Sequence, residues 1–384
     1  MAQHDVLFTP VRLGALALPN RLVMPAMMRM RAIGGVPHPA TAEYYAQRAA
    51  AGLIIAEATA VSIDGAGYPG MAGIYTARQV AAWRAVTDAV HDEGGRIVLQ
   101  LVHHGRLVSK TDLPPAFHPV APSAIAASGR AVTRAFERVP FDVPRALDDT
   151  ELDAVVSTFW KAARSALDAG FDGVEINAAN GSLLDQFLHD GANRRGGAYG
   201  GPIDNRVRLL LNVVDAISDA IGPDLTGVRL SPFGRMGALT DSDPVALYAK
   251  TFASLDARSL AWLHLIEPGS PTSDIDEWTE TVRVAYTGAI ISAGGHTAES
   301  AARAINDGVA AAVAFGRPFV ANPDLPLRLR LGLPLNVADE ETFFGGGERG
   351  YTDYPAIARR LAGVGIKPRE APGQSRSISG LCAP

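Results

Sequence analysis

The sequence predicts an α/β protein built as a single (β/α)8 barrel of the TIM type, with an N-terminal cap, a long excursion after the third strand and a wrapping C-terminal tail. Three observations carry this expectation. Short runs rich in Val, Ile, Leu and Ala recur eight times, longer stretches with helical periodicity separate them, and most runs are apolar throughout instead of alternating. Continuous apolarity is what parallel strands covered on both faces require. A doubly wound open sheet is the alternative, and a count of eight strands favours the closed form.

Taken in order, strands are expected at 21–27, 53–61, 96–103, 173–178, 226–231, 261–266, 289–293 and 311–315. Helices are expected at roughly 41–51, 77–93, 148–169, 204–220, 243–257, 274–286 and 297–307. Residues 106–147 make a strand-to-helix connection far longer than usual, with Pro114, Pro115, Pro119 and Pro122 and a polar/apolar alternation near Val132–Val143. Such a connection in a compact domain is expected to be a lid or binding element. The segment after Leu331, with Phe343–Gly347 and Tyr351–Pro355, is expected to return over the barrel. One domain spanning 1–365, with 106–147 as its insertion, and a flexible tail at 366–384 complete the plan.

Bulk properties bound the function. Of 384 residues, 47% are hydrophobic and 20% charged, enough to bury a large core. A net charge of −5 without Lys/Arg blocks argues against nucleic acid as a partner. The lone cysteine, Cys382, allows no internal disulfide, and neither a signal peptide nor a bilayer-length apolar run is present, so the expected location is the cytoplasm, with no membrane association. No His/Cys/Asp spacing suggests a metal. The partner expected is a small-molecule substrate, on a monomer or homodimer.

In this architecture the residues that close each strand build the site. Here they are polar: Gln100, His103 and His104 after strand three, Asn177 and Asn180 after strand four, Arg229 after strand five, Gly316 and Arg317 after strand eight. Ala293–Gly294–Gly295 and Gly316–Arg317 each precede a helical start, so backbone N–H groups and an arginine can receive a phosphate; as isolated features these glycines only make tight turns. Arg229 either pairs with a carboxylate or faces an anionic ligand. Gln100 either reads a ligand's amide-like edge or is a satisfied buried amide. A histidine such as His103 or His104 is ordinarily a hydrogen-bonded structural residue.

At this point the residues resemble a family, the Old Yellow Enzymes, which are FMN-dependent ene-reductases, and within it the bacterial branch of N-ethylmaleimide and pentaerythritol tetranitrate reductases. The landmarks run from Leu7–Phe8–Thr9–Pro10 through Pro19–Asn20–Arg21, Glu43–Tyr44–Tyr45–Ala46–Gln47–Arg48, Glu57–Ala58–Thr59, Gln100–Leu101–Val102–His103, Gln186–Phe187–Leu188, Tyr199–Gly200–Gly201 and Asn205–Arg206 to Ala314–Phe315–Gly316–Arg317 and Tyr351–Thr352–Asp353–Tyr354–Pro355. The resemblance implies FMN as cofactor and NAD(P)H as hydride donor. It implies that Ala26, Met27, Met28, Ala58 and Gln100 surround the flavin ring, that Arg229 sits at its N1–C2 edge, and that Ala293, Gly294, Gly295, Gly316 and Arg317 hold the phosphate. Tyr68 and Phe344 fall where the family places aromatic rings over the substrate.

The chain departs from the family at the substrate. A His-x-x-His or His-x-x-Asn pair followed by tyrosine stands here as Asn177–Ala178–Ala179–Asn180–Gly181–Ser182. Two amides can still donate to a substrate carbonyl, but serine is a far weaker acid than a phenol. Met28 replaces a small hydroxyl or thiol residue, Val102 a tryptophan and Gly237 a glutamine, leaving a larger, more apolar pocket. The expected reaction is reduction of an activated C=C bond with Asn177, Asn180 and Ser182 as catalytic residues and Tyr68, Val102 and Phe344 beside the substrate. A flavin desaturase, a nitro or nitrate-ester reductase, and a non-redox isomerase remain as alternatives; the last would need an acid/base pair that two asparagines cannot supply.

Overall fold

The computed structural model describes residues 4–232, 234–267 and 284–357. Eight parallel strands close into a barrel: β1 (Leu22–Met24), β2 (Leu53–Ala60), β3 (Ile97–Val102), β4 (Val174–Ala178), β5 (Thr226–Leu230), β6 (Trp262–Ile266), β7 (Ile290–Ala293) and β8 (Ala312–Ala314), with β8 pairing back onto β1. Each lies inside its expected run. The first is the most shortened, because Pro25–Met27 leave the sheet and turn towards the mouth. Around the barrel lie α1 (Ala40–Ala46), α2 (Ala77–Asp92), α3 (Asp149–Asp168), α4 (Leu183–Leu188), α5 (Arg208–Ile221), α6 (Pro244–Asp256) and α7 (Ala298–Asn306), followed by α8 (Gly316–Ala321) and α9 (Leu325–Leu331). The helix expected at 274–286 falls almost wholly outside the described residues, as does the tail at 366–384 with Cys382.

Local chemistry sets the helix ends. Thr76 and Gln79 form a reciprocal capping box at the start of α2, and Asp243 accepts from Ala246 N ahead of Pro244 at the first position of α6. Gly222, at φ +97°, ends α5, a conformation that L side chains rarely adopt.

Strand pleating sorts two cores. Residues such as Leu22, Ile54, Leu99, Ile176, Val228, Leu263 and Val313 point outward and pack under the helices. Val23, Leu53, Ile55, Val98, Trp262, Ile291 and Ala312 point inward, together with Leu13, Leu16 and Leu18. Those three leucines belong to an antiparallel hairpin, Val11–Leu13 with Leu16–Leu18, which plugs one end of the barrel and is the N-terminal cap. Towards the other end the interior changes character. Gln100, Glu175, Asn177, Arg229 and His264 share the inward register, since Glu175 sits opposite Gln100, Asn177 opposite Arg229, and Arg229 opposite His264.

The excursion after β3 holds an antiparallel hairpin, Arg130–Val132 with Arg138–Pro140, where the alternation was noted. A short parallel pair joins Val120–Ala121 to Arg145–Ala146 at its base. The C-terminal segment returns as expected: Tyr351 is fully buried and stacks on Tyr44 at 4.1 Å between ring centres.

The interior is tight where β5 meets β6. A Cβ on Gly227 would lie 2.1 Å from Cε2 of Trp262, so only glycine leaves room for the indole. Gly227→Ala is expected to lower stability by about 3 kcal/mol, the upper range for overpacking. The urea midpoint of the holoprotein measures it, and an unchanged midpoint would show that the indole is not wedged against β5.

Candidate functional site

The mouth of the barrel is assembled from the loops after β1, β2, β3, β4, β5, β7 and β8, and the expected residues converge there. Ala26 packs into the same inner cluster as Ala293 and Ala314, and its carbonyl accepts from Arg229 Nη1 at 3.4 Å. Met28, Ala58 and Val102 meet in one small apolar cluster with Ala60, Ala66 and Met71. Val102 therefore puts hydrocarbon, not a polar group, beside Met28. Met27 lies next to Gly316, where an added Cβ would sit 3.6 Å from its Sδ.

Beneath this ring of small and apolar groups lies a buried carboxylate with a full set of donors. Glu175 Oε2 accepts from Trp262 Nε1 at 3.0 Å and from His264 Nδ1 at 2.9 Å, and Oε1 accepts from Gln100 Nε2 at 2.7 Å. Burial alone would push this carboxyl up, but His264, Arg229 and Trp262 outweigh it and hold Glu175 below the ordinary carboxylate range. Burial pushes His264 down, and its Nε2 has no partner among the described residues, which fits a neutral ring protonated at Nδ1. Gln100 Oε1 in turn accepts from Asn177 Nδ2 at 2.8 Å, and Asn177 Oδ1 accepts from Ala179 N at 3.0 Å. Glu175, Trp262 and His264 were not singled out as site residues in the sequence. The signal was available: Glu175/Asn177, Gly227/Arg229 and Trp262/His264 are each spaced by two and so share the inner face.

The loop after β4 presents Asn180 in a left-handed conformation, φ +52°, with its backbone N–H held by Ser231 Oγ at 2.8 Å. Its side-chain amide makes no hydrogen bond within the described residues. Ser182 is different. It is buried at the start of α4, and its hydroxyl donates to the Asn177 carbonyl at 2.9 Å. Asp185 Oδ2 accepts from Gly181 N, and Gln186 Nε2 bridges the carbonyls of His104 and Gly181, so the whole turn is fixed by buried side chains.

Tyr68 sits edge-on to His104 at 5.0 Å. Both ring nitrogens of His104 are buried without partners among the described residues, and burial pushes the imidazole down to about 3, so it is neutral at any working pH. His103 accepts from Gly105 N through Nδ1 and pairs with Asp64 at 3.7 Å. Phe344 is 56% exposed on the glycine-rich loop, whose backbone is tied to the barrel through Arg29 Nε and the carbonyl of Phe343. The hairpin of the excursion reaches the same loop, because a Cβ on Gly345 would lie 3.8 Å from the Phe136 ring.

Three features test whether a flavin phosphate ester fits. Gly294 and Gly295 follow β7, and a Cβ at Gly295 would meet nothing within 4 Å. Arg317, on the first turn of α8, is exposed and has no hydrogen-bond or ion-pair partner among the described residues. Arg229 Nε is buried without a partner. A buried guanidinium whose Nε is free among the described residues, and a second, exposed arginine at the start of α8, suit an anionic, aromatic ligand. Among the described residues no group of His, Cys, Asp and Glu could hold a metal ion, and no helix is long and apolar enough to cross a membrane.

Comparisons with known proteins identify the family. Residues 6–336 match the model of the NADH:flavin oxidoreductase / NADH oxidase family. The chain is 41% identical over 358 residues to 12-oxophytodienoate reductase 1 of Oryza sativa subsp. japonica, covering 91% of this chain and 93% of the relative. It is 40% identical to a protein of Leishmania infantum described as a probable flavin mononucleotide-dependent alkene reductase, covering 91% and 97%. The structure of morphinone reductase in complex with tetrahydroNAD superposes with a TM-score of 0.88 at 45% identity, covering 92% of this chain and 98% of that one. The chain therefore belongs to the NADH:flavin oxidoreductase family of Old Yellow Enzyme homologues, and it is an FMN-dependent oxidoreductase.

Proposed function

We propose that this enzyme reduces a C=C bond conjugated to a carbonyl, that Asn177 and Asn180 donate to that carbonyl, and that the proton added to the α-carbon after hydride transfer comes from water. The observation that carries the reading is the state of the two amides. Asn177 spends one N–H on Gln100 and Asn180 spends none within the described residues, so each retains a donor at the mouth. FMN, once reduced by NAD(P)H, supplies the hydride. Two converging N–H groups polarise the carbonyl as charge develops on its oxygen. Ser182 is not placed to protonate, because its hydroxyl is turned to the Asn177 carbonyl. His104 is neutral and enclosed. Met28, Ala58 and Val102 make the wall apolar, which suits a substrate with a substantial hydrocarbon body.

Cofactor retention follows from the phosphate site. Arg317→Ala is expected to raise the FMN dissociation constant by roughly tenfold or more, since charge-assisted hydrogen bonds contribute about 1.5–3 kcal/mol. A constant within twofold of the parent would remove Arg317 from that site.

Met28 carries no donor for the flavin region that gains electron density on reduction. Met28→Thr should raise the midpoint potential by roughly 20–40 mV, the equivalent of one hydrogen bond worth about 1–2 kcal/mol in a two-electron couple. A potential that stays put or falls places Met28 elsewhere.

The reaction itself is tested by reducing the bound flavin anaerobically and mixing it with 2-cyclohexenone. Asn177→Ala or Asn180→Ala should slow reoxidation by roughly ten- to a thousandfold, as loss of an oxyanion donor does. Ser182→Ala should stay within about threefold, whereas loss of a true general acid costs about 10²–10⁴. A hundredfold fall in Ser182→Ala would make the serine the proton donor. Bleaching of the oxidised flavin by a saturated ketone, with no reoxidation of reduced enzyme by the enone, would overturn the direction proposed here.

A further inference from the structure

Gln100 and Asn177 are two amides in series between an acceptor and a donor that cannot exchange roles. At one end Glu175 is held as an acceptor by Trp262, whose indole N–H can only donate. At the other end Ala179 N–H can only donate, so the Asn177 atom facing it is oxygen. Both ends dictate the same polarity. The NH₂ of Gln100 faces Glu175, its oxygen faces Asn177, and the NH₂ of Asn177 faces Gln100 with one proton left over.

We propose that Glu175 is a positioning residue for the substrate site: the buried carboxylate sets the direction of an amide relay, Glu175–Gln100–Asn177, that makes Asn177 present N–H and not C=O to the substrate. An asparagine needs such a device because its two ends have nearly the same shape and opposite hydrogen-bonding character. The second free N–H of Gln100, beside the floor on which Arg229 also opens, is directed by the same charge. This inference rests on the reading of Asn177 as a carbonyl donor.

The substitution Glu175→Gln inverts the relay without changing its shape. Its oxygen must face Trp262 Nε1–H and His264 Nδ1–H, which puts an NH₂ against Gln100. Gln100 then turns its own NH₂ towards Asn177, and Asn177 is caught between two donors, Gln100 and Ala179 N. Adding Gln100→Glu restores an acceptor-only group opposite Asn177 while keeping residue 175 neutral.

The measurement is the dissociation constant of 2-cyclohexenone for the oxidised holoenzyme, read from the perturbed flavin spectrum, in a double-mutant cycle. N177A and E175Q are each expected to weaken binding about tenfold, the equivalent of a lost hydrogen bond. The E175Q/N177A chain should bind no more weakly than N177A alone, and E175Q/Q100E should return to within about threefold of the parent. Additive losses in E175Q/N177A, or a double variant E175Q/Q100E as weak as E175Q, would overturn the relay and leave Glu175 a structural group. If N177A weakens binding and E175Q does not, the relay falls and the carbonyl reading stands; if N177A itself has no effect, both fall. Should E175Q lose its flavin, E175Q/Q100E decides alone: affinity near the parent supports the relay, and affinity as low as that of N177A overturns it.

Discussion

A carboxylate taken out of water inside a barrel must be hydrogen-bonded and faced by positive charge or its charge is not tolerated, and much of the upper barrel interior answers to that requirement at Glu175. Two strands supply its donors: Gln100 from β3, and Trp262 and His264 from β6 reaching across β5. The strand between them pays in side-chain volume, because β5 must be glycine at 227 for the indole to lie over it. Two residues further along, the same strand carries Arg229, whose positive charge lies on the Glu175 side of the mouth. The hydrocarbon hairpin plug and this polar layer are thus opposite solutions at opposite ends of one cavity. Leu13, Leu16 and Leu18 exclude water where nothing reacts, and the charged network fixes dipoles where a ligand binds.

A second constraint closes the structure over the site. Arg29 and Arg31 leave β1 and donate to the carbonyls of Thr342, Phe343, Gly347, Arg349 and Gly350, while their guanidinium groups lie over the rings of Tyr44 and Tyr351. A glycine-rich segment has little side-chain surface to bury, so backbone carbonyls are the groups by which it can be held. Arg29 N also donates to Glu57, whose burial raises its carboxyl to about 7. The segment that follows the first strand therefore carries both the loop Ala26–Met28 and the anchor of the C-terminal cover.

Strand and helix positions were legible because apolar runs and helical periodicity are local properties. All eight strands lie within their expected limits, and the helix starts at Ala77, Asp149, Pro244 and Ala298 fall within a residue of expectation. What was hidden is which way a strand residue faces when both faces are buried. In Val174–Ala178 the outward residues pack under helices and the inward Glu175 and Asn177 join a polar network, yet all are buried and period two is masked in composition. Glu175 lies within a strand and not at its end, yet a charged residue there needs partners more than one at a strand end does. Ser182 shows the opposite limit. Its identity announced the loss of a phenol, but only the turn Asn180–Gly181, with both residues at positive φ, brings its hydroxyl onto Asn177 O. The return of the tail was readable from Tyr351–Pro355; the guanidinium clamp was not, because its acceptors are backbone groups that carry no sequence mark.

The departures from the family pattern change the character of the site more than its layout. A histidine donor can be fixed by one hydrogen bond to its other nitrogen, whereas an amide must be told which end to present. Asn177 receives that instruction from a network extending through Gln100 to Glu175, and Asn180 has a backbone bond to Ser231 Oγ and, among the described residues, no side-chain hydrogen bond. The two amides are therefore unequal: one is pre-organised and the other adapts. On the proposed reading, preorganisation of Asn177 lowers the cost of stabilising a developing oxyanion, and an adaptable Asn180 widens the range of carbonyl positions that a substrate beside the apolar cluster of Met28, Ala58 and Val102 could take.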